Sequence, residues 1–295
     1  MMRVSTSFQY DTYTENIRRA QSNYFDAQQK VSSGKRFTKV SEDPVAALTS
    51  LSARSLRSRL EQLTKNLDVA KEYTGTTENV LGEVGSLLKS ALTYAIQGAS
   101  DTSTNESRQA LAEQVSSIQK RIVELGNTRG TGGKYIFAGQ SIDTKPFSAS
   151  SGALVFSGDT NPIQVEVRPG ETMQANLPNA DAFFGDVYSK LERLRTDLLG
   201  SDATTISNVD VQAMNDAIDK NSLVRGQNGV LVQQIDRLST ENARRSDDLT
   251  KTISDNEDID IAEAITKMQQ AEMAYTASLQ VATKGFSLSL MDFLK

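Results

Sequence analysis

Apolar side chains near the start of the chain fall three and four residues apart. Tyr10, Tyr13, Ile17, Ala20, Tyr24, Ala27 and Val31 line one stripe of a helix, the spacing of a seam wound against a partner. The stripe stops at Ser32, Ser33 and Gly34, which read as a chain bend at a helix end. Asp43–Pro44 opens a second helix. Asp can cap the free backbone N–H groups, and Pro at the first helical position forfeits no hydrogen bond. Leu56, Leu60, Leu63, Leu67, Ala70, Thr74, Thr77, Leu81, Val84, Leu88, Ala91 and Ala95 then hold the four–three spacing without a slip. A helix from Pro44 to Gln97 is about 80 Å long at 1.5 Å per residue, so an elongated molecule is expected.

A third helix is marked by Leu111, Val115, Ile118, Ile122 and Leu125 and ends at the Gly-rich stretch Gly126 to Gly133. The period then changes. KYIFAG, ALVFSG and IQVEVRPG are short β-branched and aromatic runs between Gly, Pro, Asn and Asp, which predicts strands and turns over 134–179. That segment is too short to bury a large core of its own. Helical spacing resumes with Phe184, Val187, Leu191, Leu194 and Leu198. A polar loop is expected around Gly200 to Asn208, then a long helix from Val209 through Leu231, Ile235, Leu238, Asn242, Arg245 and Leu249. Gly226 to Gly229 reads as a bend in it. The last helix is expected to begin at Asp258–Asp260, where carboxylates suit the positive end of the helix dipole. It carries Ile261, Ile265, Met268, Tyr275, Leu279, Ala282, Phe286, Leu290 and Phe293, with Glu272 interrupting.

The fold expected is mainly α: an elongated antiparallel helical rod or coiled-coil bundle built from both chain ends, with a small β-rich insert in the middle. Three parts follow from the pattern. They are a terminal coiled-coil assembly domain (1–43 plus 255–295), a helical rod (44–133 plus 180–254) and a β-rich insert (134–179).

Composition narrows the function. Among 295 residues there is no Cys, His or Trp, which removes thiolate and imidazole ligands for transition metals and every catalytic arrangement that depends on them. No disulfide can form. No enzyme, cofactor or metal site is expected. The acidic run Asp255 to Asp260, and Asp247–Asp248, lack the glycine and spaced ligands of a calcium loop, and read as solvated face or helix cap. Net charge is −5, and no basic block makes a nucleic-acid footprint. No apolar run reaches the roughly 18–20 residues of a membrane span. The start, MMRVSTSFQYDT, has no apolar core for a cleaved signal, so export would require reading an uncleaved N-terminus.

The two ends carry opposite charge. Residues 1–40 hold seven Lys/Arg against three Asp/Glu, and residues 255–295 hold three against seven. Antiparallel pairing would bring Lys35, Arg36 and Lys39 near Asp255, Glu257, Asp258 and Asp260. Such pairs are each worth about 0–1 kcal/mol, enough to set orientation more than stability. The N-terminal stripe is Tyr and Ala, not Leu and Ile, so these helices need partners to persist. The assembly interface expected from this comprises Tyr13, Ile17, Tyr24, Val31, Lys35 and Arg36 on one side. On the other it comprises Ile261, Ile265, Met268, Tyr275, Leu279, Phe286, Leu290 and Phe293.

Four motifs in order resemble the flagellin superfamily. They are SSGKR at Ser32–Arg36 with SEDPVAAL at Ser41–Leu48, GGKYIFAG at Gly132–Gly139, RGQNGVLVQQIDRL at Arg225–Leu238, and DIDIAEAITKMQQAEMAYTASLQ followed by SLSLMDFL at the C-terminal end. The Asp43–Pro44 step and the ending resemble a subunit of the hook–filament junction more than a filament-forming flagellin. The resemblance implies a structural, extracellular flagellar subunit, exported unfolded through a type III apparatus without a cleaved signal peptide. The implied partners are copies of itself, the first hook-associated junction protein, flagellin and a cytoplasmic export chaperone, with no nucleic acid and no membrane insertion. A filament-forming flagellin and a cytoplasmic coiled-coil scaffold are the alternatives.

Overall fold

The computed structural model describes residues 6–150, 152–200 and 203–293, leaving aside the side chains of 6, 7, 9 and 286–293. The chain is mainly α. In order come α1 (Thr6–Ser33), α2 (Pro44–Gly98), α3 (Asn105–Gly126), strands β1 (Phe147–Ser150), β2 (Ala153–Phe156), β3 (Gln164–Arg168) and β4 (Glu171–Gln174), then α4 (Ala180–Gly200). A single turn α5 (Ala203–Thr205) and a π-helical turn (Ile206–Asp210) lead into α6 (Val211–Glu257), and α7 (Ile261–Phe293) closes the chain. Two compact units result. Unit 1 is 1–59 with 245–295, and unit 2 is 60–244.

Unit 2 holds the core. Every seam residue of α2 from Leu63 to Ala95 is buried. Val115, Ile118, Ile122 and Leu125 of α3 and Val187, Leu191, Leu194 and Leu198 of α4 join it in one cluster with Met214 and Ala217 of α6. Regular spacing puts these side chains on one face of each helix, and burying those faces together is what stabilises the unit. Helix starts follow the local chemistry. The Asp43 carboxylate accepts from the N–H of Ala46 (3.0 Å) at α2, and the Thr104 hydroxyl accepts from the N–H of Ser107 (3.2 Å) at α3.

Within unit 2, α6 runs antiparallel to α2: Arg225 meets Glu78, whereas Lys71 meets Asp236 (2.9 Å). Buried asparagines on α6 fix the register. Asn221 donates to the carbonyl of Leu81 (3.1 Å) and Asn228 to that of Thr74 (3.0 Å). Donor and acceptor both shift by seven residues, in opposite directions. A slip of one turn would strand both buried amides. This contact also overturns the expected bend at Gly226–Gly229. The helix passes through unbroken, because the anchored Asn228 and the packing of Leu231, Ile235 and Leu238 outweigh the roughly 1 kcal/mol per residue that Gly costs in a helix.

The insert is two antiparallel hairpins, β1–β2 and β3–β4. ALVFSG and IQVEVRPG supply strands as expected. KYIFAG does not: it forms turns with one isolated bridge, Arg129 to Tyr135. Its Ile136, Phe137 and Ala138 are buried, since this segment is drawn into the helical core and has no free edge to pair. Phe137 and Phe147 pack on Phe184, with ring centroids 5.1 and 5.0 Å away. Asn127 clips the end of α3 to β1, donating to the carbonyls of Val123 and Phe147 and accepting from the N–H of Phe147. Val167 and Met173 of the second hairpin pack on Leu67, Ala70, Ile235 and Leu238.

The polar loop expected over 200–208 is helical where described. Asp210 at the end of the π-helical turn is fully buried, and its Oδ1 accepts from Nε of Arg193 (2.9 Å). Burial pushes its carboxyl up to about 6 against the lowering effect of Arg193, with Asp197 adding to the rise. Helix here comes from tertiary contacts that local polarity does not report.

Leu191→Ala should cost unit 2 about 2–5 kcal/mol, read as a lower denaturation midpoint. Leu223→Ala, on the exposed side of α6, should stay within about 0.5 kcal/mol of wild type.

Candidate assembly surface

Unit 1 is built on different terms. α1 packs along α7, and the α1 stripe is the one read from spacing. Tyr13, Ile17, Ala20, Tyr24, Ala27 and Val31 are all half-buried, whereas Tyr10 is exposed. On α7 the half-buried positions are Ala264, Met268, Ala271, Tyr275 and Ser278, followed by the buried Ala282. Tyr24 stacks on Tyr275 with ring centroids 6.3 Å apart and planes 7° apart. A Cβ at Gly285 would come within 2.8 Å of the Tyr13 ring. Small residues on α7 therefore make room for tyrosines on α1.

The residues expected on the C-terminal side of the assembly interface divide between this intramolecular seam and its flank. Met268 and Tyr275 lie in the seam. Ile261, Ile265 and Leu279 do not: they are exposed on the flank of α7, 49, 37 and 37% accessible. Apart from Met268 and Tyr275, the seam positions of α7 are Ala, Ser and Gly. The expected contributions of Phe286, Leu290 and Phe293 lie outside the described residues.

Where the two ends enter the unit, a polar clasp joins them. Gly34 ends α1 in the left-handed region (φ 68°), and Lys35 then bridges to Asp258 in a short antiparallel contact. The N–H of Arg36 donates to the carbonyl of Glu257 (2.6 Å), and that of Ile259 to Gly34 (3.2 Å). Lys35 Nζ lies 2.7 Å from Asp258 and 3.2 Å from Glu257. Arg54 grips Glu257 with two bonds, Nε to Oε1 at 3.1 Å and Nη2 to Oε2 at 2.6 Å. The pairing of Lys35 with the acidic run is as expected. The Arg36 side chain instead turns to Asp43 (2.8 Å), and Arg54 was missed, since nothing in its local sequence separates it from Arg57 and Arg59. Asp260 caps α7 by accepting from the N–H groups of Ala262 and Glu263.

The clasp is electrostatically tuned. The bidentate Arg54 guanidinium, then Lys35, hold the Glu257 carboxyl below its ordinary value against its own burial. Bonds from Lys35 and Ser254 do the same for Asp258. Above this junction α1 and α7 leave a cleft of about 580 Å³. Acidic Asp26, Asp258, Asp260 and Glu263 line it together with basic Lys30, Arg36 and Lys267. Among the described residues no group of three or more acidic side chains is placed to hold a metal ion.

Outside that seam, most of the unit's large apolar side chains face outward. Among the described residues only Ala46, Ala53, Ile253 and Ala282 are buried apolar residues of unit 1, while thirteen large apolar residues are exposed there, against seven in the longer unit 2. Exposed apolar residues grouped in this way point to an interaction surface.

Residues 4–141 match the family described as the bacterial flagellin N-terminal helical region. This stretch is similar to a flagellin helical region. Across its whole length, and the whole of the relative's, the chain is 25% identical to flagellar hook-associated protein 3 of Escherichia coli K12. A flagellin of Halalkalibacterium halodurans is 23% identical over 85% of this chain and 84% of its own. The fold is shared with flagellar hook-associated protein 3 from Legionella pneumophila, at a TM-score of 0.61 and 14% identity, covering 69% of this chain and 97% of that one. These relatives are flagellar proteins, and none of them is named as an enzyme.

Glu257→Gln should weaken the clasp by about 1.5–3 kcal/mol at neutral pH, read as faster amide exchange at the α6–α7 junction. Because the folded pKa values of Glu257 and Asp258 are depressed, their contribution is full above the unfolded values near 4. It should fade as pH falls through the folded ones. The variant's exchange should lose the Glu257 part of this acid dependence.

Proposed function

We propose that the chain is the junction subunit that joins the hook side of a flagellum to its filament. The observation that carries this reading is the contrast between a cored unit 2 and a unit 1 whose apolar residues are exposed. Full-length similarity to hook-associated protein 3 favours the junction over the filament. Unit 2 would act as the prefolded body. The terminal domain, 1–43 with 255–295, would complete its burial on copies of itself, on the first hook-associated junction protein and on flagellin. Apolar burial at about 25 cal/mol per Å² offsets the entropy of ordering those ends. In this reading the subunit is exported by a type III apparatus without a cleaved signal, attended by a cytoplasmic chaperone, and works outside the cell. The absence of cysteine suits a chain that crosses compartments unfolded, because no disulfide can trap it.

An epitope tag in the β3–β4 turn, beside the open Gly170, should place gold label in one band at the hook–filament boundary by electron microscopy. Label along the filament would assign a flagellin, and label confined to the cell interior would sink the flagellar adaptor. Removing residues 286–295 should leave the unit 2 melting transition in place but block incorporation into flagella. Normal motile filaments from that truncation would refute the role given to the C-terminal end.

A further inference from the structure

Two apolar faces in unit 1 remain uncovered by the α1–α7 seam and the clasp. On the first turns of α2, Val45, Leu48, Leu51 and Leu56 are 76, 62, 64 and 55% exposed. At the α-helical repeat they share a sector of roughly 140°. Ala46, Ser50 and Ala53, on the opposite side, are buried. On α7, Ile261, Ile265 and Leu279 form the narrow flank stripe described above, and Glu272 lies in the same line.

We propose that the outer face of α2 in one copy receives the flank stripe of α7 from a second copy. Charge selects this pairing. Arg59 falls within the α2 sector and Lys39 precedes it. The α7 stripe carries Glu272, which has no hydrogen bond or ion pair among the described residues. More broadly, residues 1–59 carry ten basic side chains against five acidic, and residues 245–295 carry five against nine. Two α2 faces would bring like charges together, as would two α7 stripes, so a symmetric dimer through either is opposed. The match is between unlike surfaces of identical chains. A contact of that kind repeats head to tail and closes into a ring or continues as a helix. The inference rests on the assembly reading above and specifies which surfaces meet.

Because the chain has no cysteine, the contact can be trapped cleanly. Leu48→Cys and Ile265→Cys are made in separate copies, both are produced in the cells that make the protein, and isolated flagella are oxidised with copper phenanthroline. A linked dimer should appear at least tenfold more strongly in the mixed preparation than in either single variant. It should be absent when the subunits are dissociated before oxidation. Leu51→Cys with Leu279→Cys serves as the second pair.

Flagella that contain both members of both pairs yet give no mixed dimer would overturn the proposal and leave the functional reading standing. Dimers from Leu48→Cys alone would replace it with a symmetric contact. If either cysteine variant is lost from flagella that still take up wild type, with unit 2 melting unchanged, the affected face is required for assembly, as proposed. Wild-type protein absent from flagella would be the failure of the functional reading itself.

Discussion

The structure depends first on the dry seam of α2. From Leu63 to Ala95 its inward positions are closed to water, and α3, α4 and α6 each have an apolar face that only this seam and one another can cover. Burial is non-directional, so it does not by itself choose an alignment. The buried amides of Asn221 and Asn228 do. They hold α6 antiparallel to α2 in one register. In unit 1, Arg54 finds Glu257 203 positions away.

Unit 1 inverts the balance. Its seam is made of tyrosines set against alanine, serine and glycine, half-buried where the α2 seam is closed. The ion pairs of the clasp supply direction. Glu257, 8% exposed and gripped by Arg54 and Lys35, is the one strongly enclosed charge among them, and its depressed pKa reflects that. Large apolar side chains that would make a core elsewhere are displayed. A unit in this condition gains most by burying surface on another molecule.

Separating these tasks between units has a physical advantage. The core of unit 2 needs no partner, so the chain has a folded body before assembly. The displayed faces of unit 1 are basic on the N-terminal side and acidic on the C-terminal side. In the contact proposed above, this difference would direct identical copies towards unlike contacts and away from symmetric ones. Electrostatic direction of this sort is screened beyond about 10 Å at 0.1 M salt. In the proposed contact it would govern which surfaces meet, and apolar contact would hold them.

The sequence by itself determined α1 to α4, most of their ends and the face that α2, α3 and α4 bury in unit 2. Heptad spacing, the Asp43–Pro44 start and the Gly34 stop act within a few residues of each other, and local geometry is enough to read them. It also determined the α1 stripe and the attraction of Lys35 to Asp258. Tertiary structure alone decided what depends on distant partners. It made helix of the polar residues before α6, drew KYIFAG into the core as turns, and carried α6 straight through Gly226 and Gly229. It also placed the α7 seam on Ala264, Ala271 and Ser278 while leaving Ile261, Ile265 and Leu279 outside. Side-chain size suggests which residues ought to be buried. Which of them are buried depends on the shape of the partner, and tyrosine rings on α1 require small residues opposite. The opposite charge of the two chain ends was legible from composition, but the apolar faces it directs became visible only once that seam was fixed.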